Sequence, residues 1–424
     1  MSSTNIDNKA THTARVVFLN SLYPCLSETF IFDQFDALKK EGIVFDVVSN
    51  NVPQEDQVHP RMRASLDDVN YLKLTPKKDI ASALFSLFCT RPLRSLATLK
   101  NILLNSSVSE SPTPSYNDSL STRVAHFVGA AVLIKRYENQ HVHFHVNFTY
   151  GAASIALLIS QLSELSYSIS LHGSDLLFDN PPFLVEKLAA AKSIVSISEH
   201  NLNYIEQRYK SLATIPKKVI SLGVFLEAGN VKQDMTRNKQ FTCLHVGRLD
   251  VHKAQHILIQ SIGSLVEAGY NVHCDIVGDG PLKNDLEDLI KAQKLDSNIQ
   301  LLGPRFHHEV LEMLPNYDSF LMSSVVEGMP IAIMEAMRAK VPIISTNVGA
   351  IDELLDHGRC GSLVEANDSD ALAEALKHQI NHAEEANDGA ACALNYLRDN
   401  FDLRANSLKL AEHLQTHLNA GVTH

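Results

Sequence analysis

The chain has few of the features that mark secreted or disulfide-stapled proteins. Its 424 residues include only six cysteines, and no two of them form a C-x-x-C pair. Cysteines this sparse are typical of reduced, mostly buried thiols in a cytosolic protein. Residues 1–13 are polar and contain no apolar core of a signal peptide, so we expect no export signal there.

Long hydrophobic runs and an excess of positive charge are missing as well. No stretch of about 18 uninterrupted apolar residues occurs, so no helix is expected to span a membrane. The net charge of −11 argues against general binding to nucleic acid. The hydrophobic content of 45% is ordinary for a globular protein, and the length suggests two or three domains. We therefore expect a cytoplasmic globular protein.

Short β-branched or apolar runs alternate with helical patterns along the chain. The first unit combines a strand near residues 16–19, a helix over 30–40 and a strand over 44–48, and the pattern restarts near residue 240. This alternation predicts parallel sheets covered by helices, hence an α/β fold with two similar domains. Further strands are expected at residues 141–146, 167–171, 193–197, 241–246, 272–277, 299–302, 319–322 and 342–345. Residues 105–118 are rich in Ser and Pro and are expected to form a mobile loop.

One stretch in the second half places two carboxylates, Glu327 and Glu335, eight positions apart. A turn of Gly328, Met329 and Pro330 separates the first carboxylate from a predicted helix, and Pro330 suits a first helical position. Unpaired amides at a helix start favour anionic or hydroxyl groups. A carboxylate beside them can accept hydrogen bonds from sugar hydroxyls, and a second one can hold a ribose. The alternative is an amphipathic surface helix with ordinary glutamates.

Two cations follow the predicted strand that opens the second half. Gly247 ends the strand, and Arg248 and Lys253 lie in the following turn. Arginine offers a planar fork to phosphate oxygens and lysine a compact charge, so the pair can neutralise a diphosphate. The alternative is two solvated cations on a loop. A second glycine turn, at residues 278–281, lacks the third glycine of a dinucleotide fingerprint, which makes NAD binding a weak interpretation.

Two patterns resemble metal sites, and we assign a metal to neither. The Asp-Ser-Asp segment at 368–370 precedes a helical pattern, so helix capping accounts for it. His141, His143 and His145 alternate and share one face of a predicted strand. Neighbours on that face lie about 6.6 Å apart, too far for one tetrahedral zinc centre without other ligands. We therefore expect no metal and no cofactor.

The first half carries candidate residues at two strand ends. His172, Gly173 and Asp175 follow an apolar strand, where the histidine can hydrogen-bond a sugar hydroxyl. A structural histidine would be the better interpretation of this segment by itself. Ser198 is a plausible helix N-cap at the next strand end.

The segment after the first strand, Ser27-Glu28-Thr29, offers amides and hydroxyls to a phosphate or an acceptor. A simple helix cap by Ser27 and Glu28 is an equally good interpretation. Residues 77–104 form a basic, apolar segment that Pro92 interrupts. It is compatible with a core-packing helical pair and with a patch on an anionic membrane surface.

Taken in order, these motifs resemble the family 4 retaining glycosyltransferases of the GT-B fold, in their exopolysaccharide or colanic-acid branch. The resemblance is strongest over residues 240–365 and loosest over 50–135. It implies two Rossmann-like domains that face each other across a cleft. Residues 1–226 would form the acceptor-side domain, 227–400 the nucleotide-sugar domain, and 401–424 a helix that packs back on the first domain.

The resemblance also implies an activity and residue roles. The chain would move a sugar, as a hexosyltransferase, from a nucleotide sugar to a glycan or lipid-linked acceptor in bacterial surface-polysaccharide assembly, without metal and with retained configuration. In the binding site for the nucleotide-sugar donor, Arg248 and Lys253 would bind the diphosphate and Glu335 the ribose. The sugar would be bound by Glu327 with Gly328, Met329 and Pro330. His172 would assist from the other domain. Ser27, Glu28, Thr29, His143 and Asp175 would lie on the acceptor or phosphate side.

Two alternatives and the expected surroundings complete the interpretation. A GT-B hydrolase or epimerase acting on the nucleotide sugar is one alternative, and a non-catalytic nucleotide-sugar binder is the other. The intact cations and both glutamates disfavour the second. The expected partners are the donor and the acceptor, with peripheral association at the inner face of a membrane. No binding to nucleic acid is expected.

Overall fold

Two parallel β-sheets, each covered by helices, dominate the computed structural model of the chain. The structure describes residues 14–25, 28–54, 58–104, 119–177, 181–227, 230–232 and 240–420. Ser27 and the loop expected at 105–118 lie outside the described residues. Every strand pair in the described part is parallel, as expected where helices connect successive strands.

The N-terminal sheet has seven strands in the order β3-β2-β1-β4-β5-β6-β7. Its strands are β1 (Arg15–Leu22), β2 (Phe45–Asn51), β3 (Val69–Tyr71), β4 (Val142–Asn147), β5 (Tyr167–Leu171), β6 (Ile194–Ser196) and β7 (Lys217–Val219). Its helices are α1 (Thr29–Lys40), α2 (Lys77–Thr90), α3 (Pro92–Leu104), α4 (Leu120–Tyr137), α5 (Gly151–Leu162), α6 (Ser174–Leu177), α7 (Leu184–Ala189) and α8 (Glu199–Arg208). Strand order reverses direction between β1 and β4, which opens a crevice at the carboxyl ends of these strands.

The C-terminal sheet has six strands in the order β10-β9-β8-β11-β12-β13. Its strands are β8 (Phe241–Val246), β9 (Val272–Val277), β10 (Ile299–Gly303), β11 (Ser319–Met322), β12 (Ile343–Thr346) and β13 (Ser362–Val364). The helices are α9 (Gln255–Glu267), α10 (Lys283–Ala292), α11 (His307–Met313), α12 (Ile331–Arg338), α13 (Ile351–Leu354), α14 (Ser369–Asn381), α15 (Ala383–Asn400) and α16 (Leu403–Ala420). The order again reverses between β8 and β11, so this sheet opens a second crevice.

Strands β4 and β5 are buried on both faces, although polar residues alternate with apolar ones along them. All residues of β5 and of β11 are buried, as is usual when helices cover both faces of a parallel sheet. The longer strands and the three-residue β6 lie where the sequence predicts them. The other three-residue strands, β3, β7 and β13, were not predicted, because three residues are too few to show a period.

The last helix, α16, returns to the first domain. Its Leu410, Leu414 and Leu418 are buried in a cluster with Phe18 of β1 and Phe35 of α1. A backbone bridge between Val224 and Asp402 fixes the point at which the chain re-enters that domain. The two Rossmann-like domains and the returning helix confirm the predicted fold class.

Histidines fill part of the contact between α16 and the N-terminal sheet. His143 of β4 lies 2.9 Å through Nδ1 from Ser166 Oγ, and its ring stacks on His417 at 4.9 Å. His413 and His417 lie 3.0 and 2.8 Å from Ser193 Oγ through their Nε2 atoms. Burial lowers the pKa of His143 to about 3 and that of His413 to about 4, and it lowers the pKa of His417 too. The contact therefore requires neutral imidazoles.

Acidification should destabilise this contact. The folded pKa values lie below the ordinary histidine value of about 6.5, so stability is full above that pH and is lost as the pH falls toward the folded values. The buried His143 adds a slope of about 1.4 kcal/mol per pH unit in that window, and the half-buried His413 and His417 add less because solvent screens their charges. We expect urea unfolding between about pH 7 and pH 5 to show this slope, and His143→Gln to reduce it.

The exposed His256 on α9 provides the control. His256→Gln should leave the pH dependence of unfolding as in the wild type. An equal pH dependence in all three proteins would show that the buried histidines do not control acid stability.

Candidate active site

The carboxyl ends of the two sheets face each other, and their loops touch. A Cβ atom on Gly173, which follows β5, would lie 2.7 Å from the Cα atom of Gly328. One on Gly328 would lie 2.5 Å from the carbonyl oxygen of His172. Gly173 also has a φ of +94°, which disfavours side chains. Only glycine therefore permits this contact between the His172 segment and the Glu327 segment.

An ion pair links two of the residues that are predicted to bind the nucleotide-sugar donor. Lys253 Nζ donates a short hydrogen bond to Glu327 Oε1, and the side chain of Glu327 is 9% exposed. Ser324 Oγ donates to the same carboxylate oxygen at 2.6 Å, and Ser323 Oγ donates to the carbonyl oxygen of Lys253 at 2.9 Å. The loops after β8 and β11 are thereby fastened together, with one carboxylate and one ammonium at their junction.

Arg248 behaves differently from Lys253. Its side chain is 71% exposed, and its Nε atom lies 3.4 Å from Asp250 Oδ2 in a surface ion pair. Surface pairs of this kind contribute little to stability, so the guanidinium is free to reorient. Of the two cations predicted to bind phosphate, Lys253 is thus held by its ion pair with Glu327, whereas Arg248 extends into solvent.

Glu335 lies inside α12 and is nearly buried. His307, at the start of α11, makes a short hydrogen bond to Glu335 Oε1 through its Nε2 atom. Arg338 follows one turn later, and its NH1 group donates to the carbonyl oxygen of Phe225 at 3.2 Å. Burial lowers the pKa of Arg338, while the nearby Glu335 raises it. The sequence analysis missed His307, whose only signal is its place after the glycine loop that ends β10.

The start of α12 is close to the expected position. The helix begins at Ile331, with Pro330 in the N-cap position at a φ of −73°. We predicted Pro330 as the first helical residue, and assignments of helix ends commonly differ by one residue. Gly328 and Met329 lie between this helix and Glu327, so this carboxylate precedes the free amides of the first helical turn.

His172 lies in an aromatic setting. Its ring centroid is 4.3 Å from that of Phe148 and 5.2 Å from that of Phe30, and its Nε2 atom lies 3.4 Å from Asn147 Oδ1. Its Nδ1 atom is buried and has no hydrogen-bond partner among the described residues. Burial lowers the pKa of His172 to about 3, so the imidazole is neutral near pH 7.

A cavity of about 280 Å³ joins the two halves of the site. His172 and Glu28 line it from the first domain, and Glu327, Gly328 and Met329 line it from the second. The aromatic residues Phe30, Phe148 and Tyr150 complete one wall. The structure therefore brings together His172 and Glu327, which are distant in sequence.

Glu28 contributes a second carboxyl to this cavity. It precedes α1, and its side chain makes no capping hydrogen bond to that helix. Burial raises the pKa of Glu28 to about 7, and the charge of Asp175 adds to the rise. Thr29 is the first residue of α1 and is not among the residues that line the cavity. Helix capping therefore does not explain the position of Glu28.

Asp175, expected on the acceptor or phosphate side, does not line the cavity. Its side chain is fully buried, and its oxygens accept hydrogen bonds from the amides of Thr149 at 2.9 Å and His172 at 3.1 Å. Burial raises the pKa of Asp175 to about 6. Its place is behind the site, where it fixes the loops that follow β4 and β5.

His143, expected on the same side, does not line the cavity either. His143 lies four residues before the carboxyl end of β4, about 13 Å along the strand, and is covered by α16. Both ring nitrogens lie within hydrogen-bond distance of serine hydroxyls, Ser166 at 2.9 Å and Ser168 at 3.0 Å. Of the alternating histidines, His143 and His145 are therefore buried in the core.

Two helix caps expected from the sequence are confirmed. Asp368 accepts a hydrogen bond from the amide of Ala371 at 2.8 Å, and Ser198 accepts one from the amide of Asn201 at 3.2 Å. Within the described ranges, no group of three His, Cys, Asp or Glu side chains is arranged to hold a metal ion. No described helix is long and apolar enough to cross a bilayer.

Comparisons with known proteins fit this geometry. The family "Glycosyl transferases group 1" matches residues 230–391, which include Arg248, Lys253, Glu327 and Glu335. The chain contains a group 1 glycosyltransferase domain. This result confirms the family resemblance drawn from the sequence, and the glycosyltransferase has relatives along its whole length.

One relative is the putative colanic acid biosynthesis glycosyltransferase WcaL of Salmonella typhimurium, with 24% identity over 95% of this chain and 100% of that protein. The sucrose-phosphate synthase of Thermosynechococcus elongatus has a TM-score of 0.71 at 14% identity, covering 96% of this chain and all of that one. Anabaena Alr3699/HepE, solved with UDP and glucose, has a TM-score of 0.68 at 19% identity over 95% of this chain and 100% of its own. The two structures support the GT-B fold, and the relative supports the exopolysaccharide branch.

Glu353 joins the two domains beside the site. Its carboxylate accepts hydrogen bonds from the amides of Glu199, at 2.9 Å, and His200, at the N-terminus of α8. Removing a carboxylate from a helix N-terminus costs about 1 kcal/mol. We expect Glu353→Ala to weaken domain closure and to increase the radius of gyration measured by small-angle X-ray scattering.

The neighbouring Asp352 is the matched control, because its carboxylate bonds only to the exposed His357 on the same domain. Asp352→Ala should keep the wild-type radius of gyration. An unchanged radius in Glu353→Ala would show that this contact does not hold the domains together.

Proposed function

We propose that the glycosyltransferase transfers a hexosyl unit from a nucleotide sugar to a glycan or lipid-linked acceptor, with retention of configuration and without a metal ion. The observation that carries the proposal is the cavity in which His172 and Glu28 of one domain meet Glu327 and Met329 of the other. Because Lys253 is bonded to Glu327, a cation adjoins this cavity. A sugar with an anionic leaving group fits such a combination of carboxylate, amides and cation.

The donor would lie along the C-terminal domain. Lys253 and the reoriented Arg248 would bind the diphosphate, and the amides that start α12 would add hydrogen bonds. Glu327 would accept hydrogen bonds from the transferred sugar. Glu335 would bind the ribose, with His307 orienting its carboxylate.

The reaction breaks the bond between the anomeric carbon and the diphosphate oxygen, and forms a bond from that carbon to the acceptor oxygen on the same face. Negative charge then grows on the departing diphosphate, and the two cations would stabilise it. The departing phosphate oxygen would take the acceptor's proton. His172 is neutral, so it would assist by a hydrogen bond to the sugar rather than by charge.

Glu28, whose pKa is raised to about 7 by burial, lines the cavity from the first domain, where it would hydrogen-bond the acceptor hydroxyl. The pathway proposal rests on the relatives: a colanic acid enzyme and a teichuronic acid enzyme are among them by name. We propose a role in bacterial surface-polysaccharide synthesis, at the cytoplasmic face of a membrane. UDP-glucose is the first donor to test, because the Anabaena structure contains UDP.

The two glutamates should affect different kinetic constants. Glu327 would contact the sugar, whose geometry changes as the anomeric carbon flattens, whereas the ribose at Glu335 does not change. A contact that strengthens in the transition state acts on kcat, and a uniform contact acts on KM. We expect Glu327→Gln to lower kcat roughly tenfold or more with little change in KM. Glu335→Gln should mainly raise KM in steady-state kinetics on the cognate donor.

Circular dichroism of both variants is the control for folding. Wild-type kinetics in both variants would contradict the site as a whole. The reverse assignment of kcat and KM effects would contradict only the orientation of the donor.

Metal independence has a direct test. Turnover of the purified enzyme should be the same in EDTA as in Mg²⁺ or Mn²⁺, because the cations of Arg248 and Lys253 would neutralise the diphosphate. Turnover that EDTA abolishes and a divalent metal restores would contradict this part of the proposal.

A further inference from the structure

Helix α3 exposes most of its leucines and buries two of its polar residues against the protein. Ser95, Thr98 and Ile102 are buried on its inner face. Leu93 is 82% and Leu96 56% exposed on the opposite side. A surface helix of a soluble protein normally has the reverse arrangement, with its apolar stripe toward the core.

The exposed apolar residues lie on the neighbouring helices α2 and α3. Leu93, Leu96 and Leu104 recur at helical spacing and share one side of α3. Phe85 of α2 is 73% exposed, and Leu103 and Leu104 are exposed at the end of α3. We call this surface, consisting of Phe85, Leu93, Leu96, Leu103 and Leu104, the α2–α3 patch.

The patch is fixed in its outward orientation. Ser95 Oγ donates to the carbonyl oxygen of Arg91 at 2.8 Å, and Arg123 NH1 donates to the carbonyl oxygen of Ile102 at 2.7 Å. Arg91 is paired with Glu138 at 2.9 Å. These bonds attach both ends of α3 to its neighbours, so the helix does not rotate to bury its leucines.

Positive charge surrounds the patch in a chain that is acidic as a whole. Residues 73–104 contain six cations and one acidic residue, whereas the whole chain has a net charge of −11. The lysines Lys77, Lys78 and Lys100 make no ion pair with any residue that the structure describes. Lys100 lies within the leucine stripe of α3. Apolar side chains interleaved with unpaired lysines match the surface of an anionic bilayer.

We propose that the α2–α3 patch docks this glycosyltransferase on an anionic lipid bilayer. The leucines and Phe85 enter the boundary between headgroups and acyl chains, and the lysines contact the lipid phosphates. A second copy of the chain fits less well, because two patches would bring like charges together. The inference deepens the membrane location in the proposed function by naming the surface and the class of lipid.

The position of the patch suits an acceptor-side membrane contact. A cavity of about 770 Å³ is lined by Ile80 of α2, by Val132 of α4 and by Tyr150. Tyr150 also lines the cavity of the candidate active site. Helix α2, which carries Phe85 of the patch, therefore also lines a cavity that shares Tyr150 with the candidate active site.

Vesicle sedimentation tests the docking without requiring turnover. The full chain is mixed with phosphatidylcholine vesicles, either pure or with about one third phosphatidylglycerol, at low and high salt. We expect binding to the anionic vesicles only, and weaker binding at high salt. Leu93→Gln with Leu96→Gln should lower the partition coefficient by roughly tenfold or more for each leucine. Replacing Lys77, Lys78 and Lys100 by Glu should lower the partition coefficient by roughly fivefold or more per residue.

Matched substitutions elsewhere on the first domain are the controls. Val44→Gln replaces an apolar residue that is 74% exposed, and Lys210→Glu reverses an exposed lysine. Both should bind vesicles as the wild type does. Thermal melts show whether each variant is folded, and the single substitution Leu93→Gln replaces the double one if the latter unfolds.

Three results would overturn the proposal. One is a wild type that binds neither kind of vesicle, and another is an equal loss of binding in the control variants. The third is dimerisation, seen by ultracentrifugation and abolished by the leucine substitutions, because the patch would then be covered by a second copy. Nucleoside diphosphate binding by the patch variants is measured in parallel. If neither the wild type nor any variant binds the nucleoside diphosphate, the proposed function is contradicted, but the conclusion from the vesicle experiment still holds.

Discussion

The ion pair between Lys253 and Glu327 is the contact on which the candidate site depends. It joins the loops after β8 and β11, and Ser324 and Ser323 strengthen the same junction. A carboxylate with little exposure needs such a partner, because an unpaired charge there would be costly. The pair therefore stabilises the loop that carries Gly328 against the first domain, before any ligand is bound.

This pair also connects the site to the arrangement of the domains. The Glu327 loop approaches His172 and Gly173 so closely that only glycine fits at the contact. Glu353 adds a second connection through the amides that start α8. Contacts from both domains thus define the cavity between them. A change in the Lys253–Glu327 pair would therefore also alter the contact with the first domain.

The sequence predicted the site motifs better than their surroundings. Local patterns were sufficient for the long strands, for the caps at Ser198 and Asp368, and for the carboxylates on either side of the turn before α12. These features depend on residues a few positions apart. Local patterns did not show the surroundings of His143 and Asp175, because α16 covers one face of β4 and because Asp175 accepts hydrogen bonds from the amides of two loops. His307 was missed since its pairing with Glu335 spans two helices that the sequence does not relate.

The most direct test of the account is whether the diphosphate of the donor competes with Glu327 for Lys253. If the diphosphate takes Lys253 from Glu327, neutralising the carboxylate should release the lysine. Calorimetry with the cognate nucleoside diphosphate, which carries no sugar, should show tighter binding to Glu327→Gln than to the wild type. Lys253→Ala should bind more weakly by about 1.5–3 kcal/mol, the contribution of a charge-assisted hydrogen bond. Weaker or unchanged binding to a folded Glu327→Gln would contradict the account, because the two side chains would then not compete with the diphosphate.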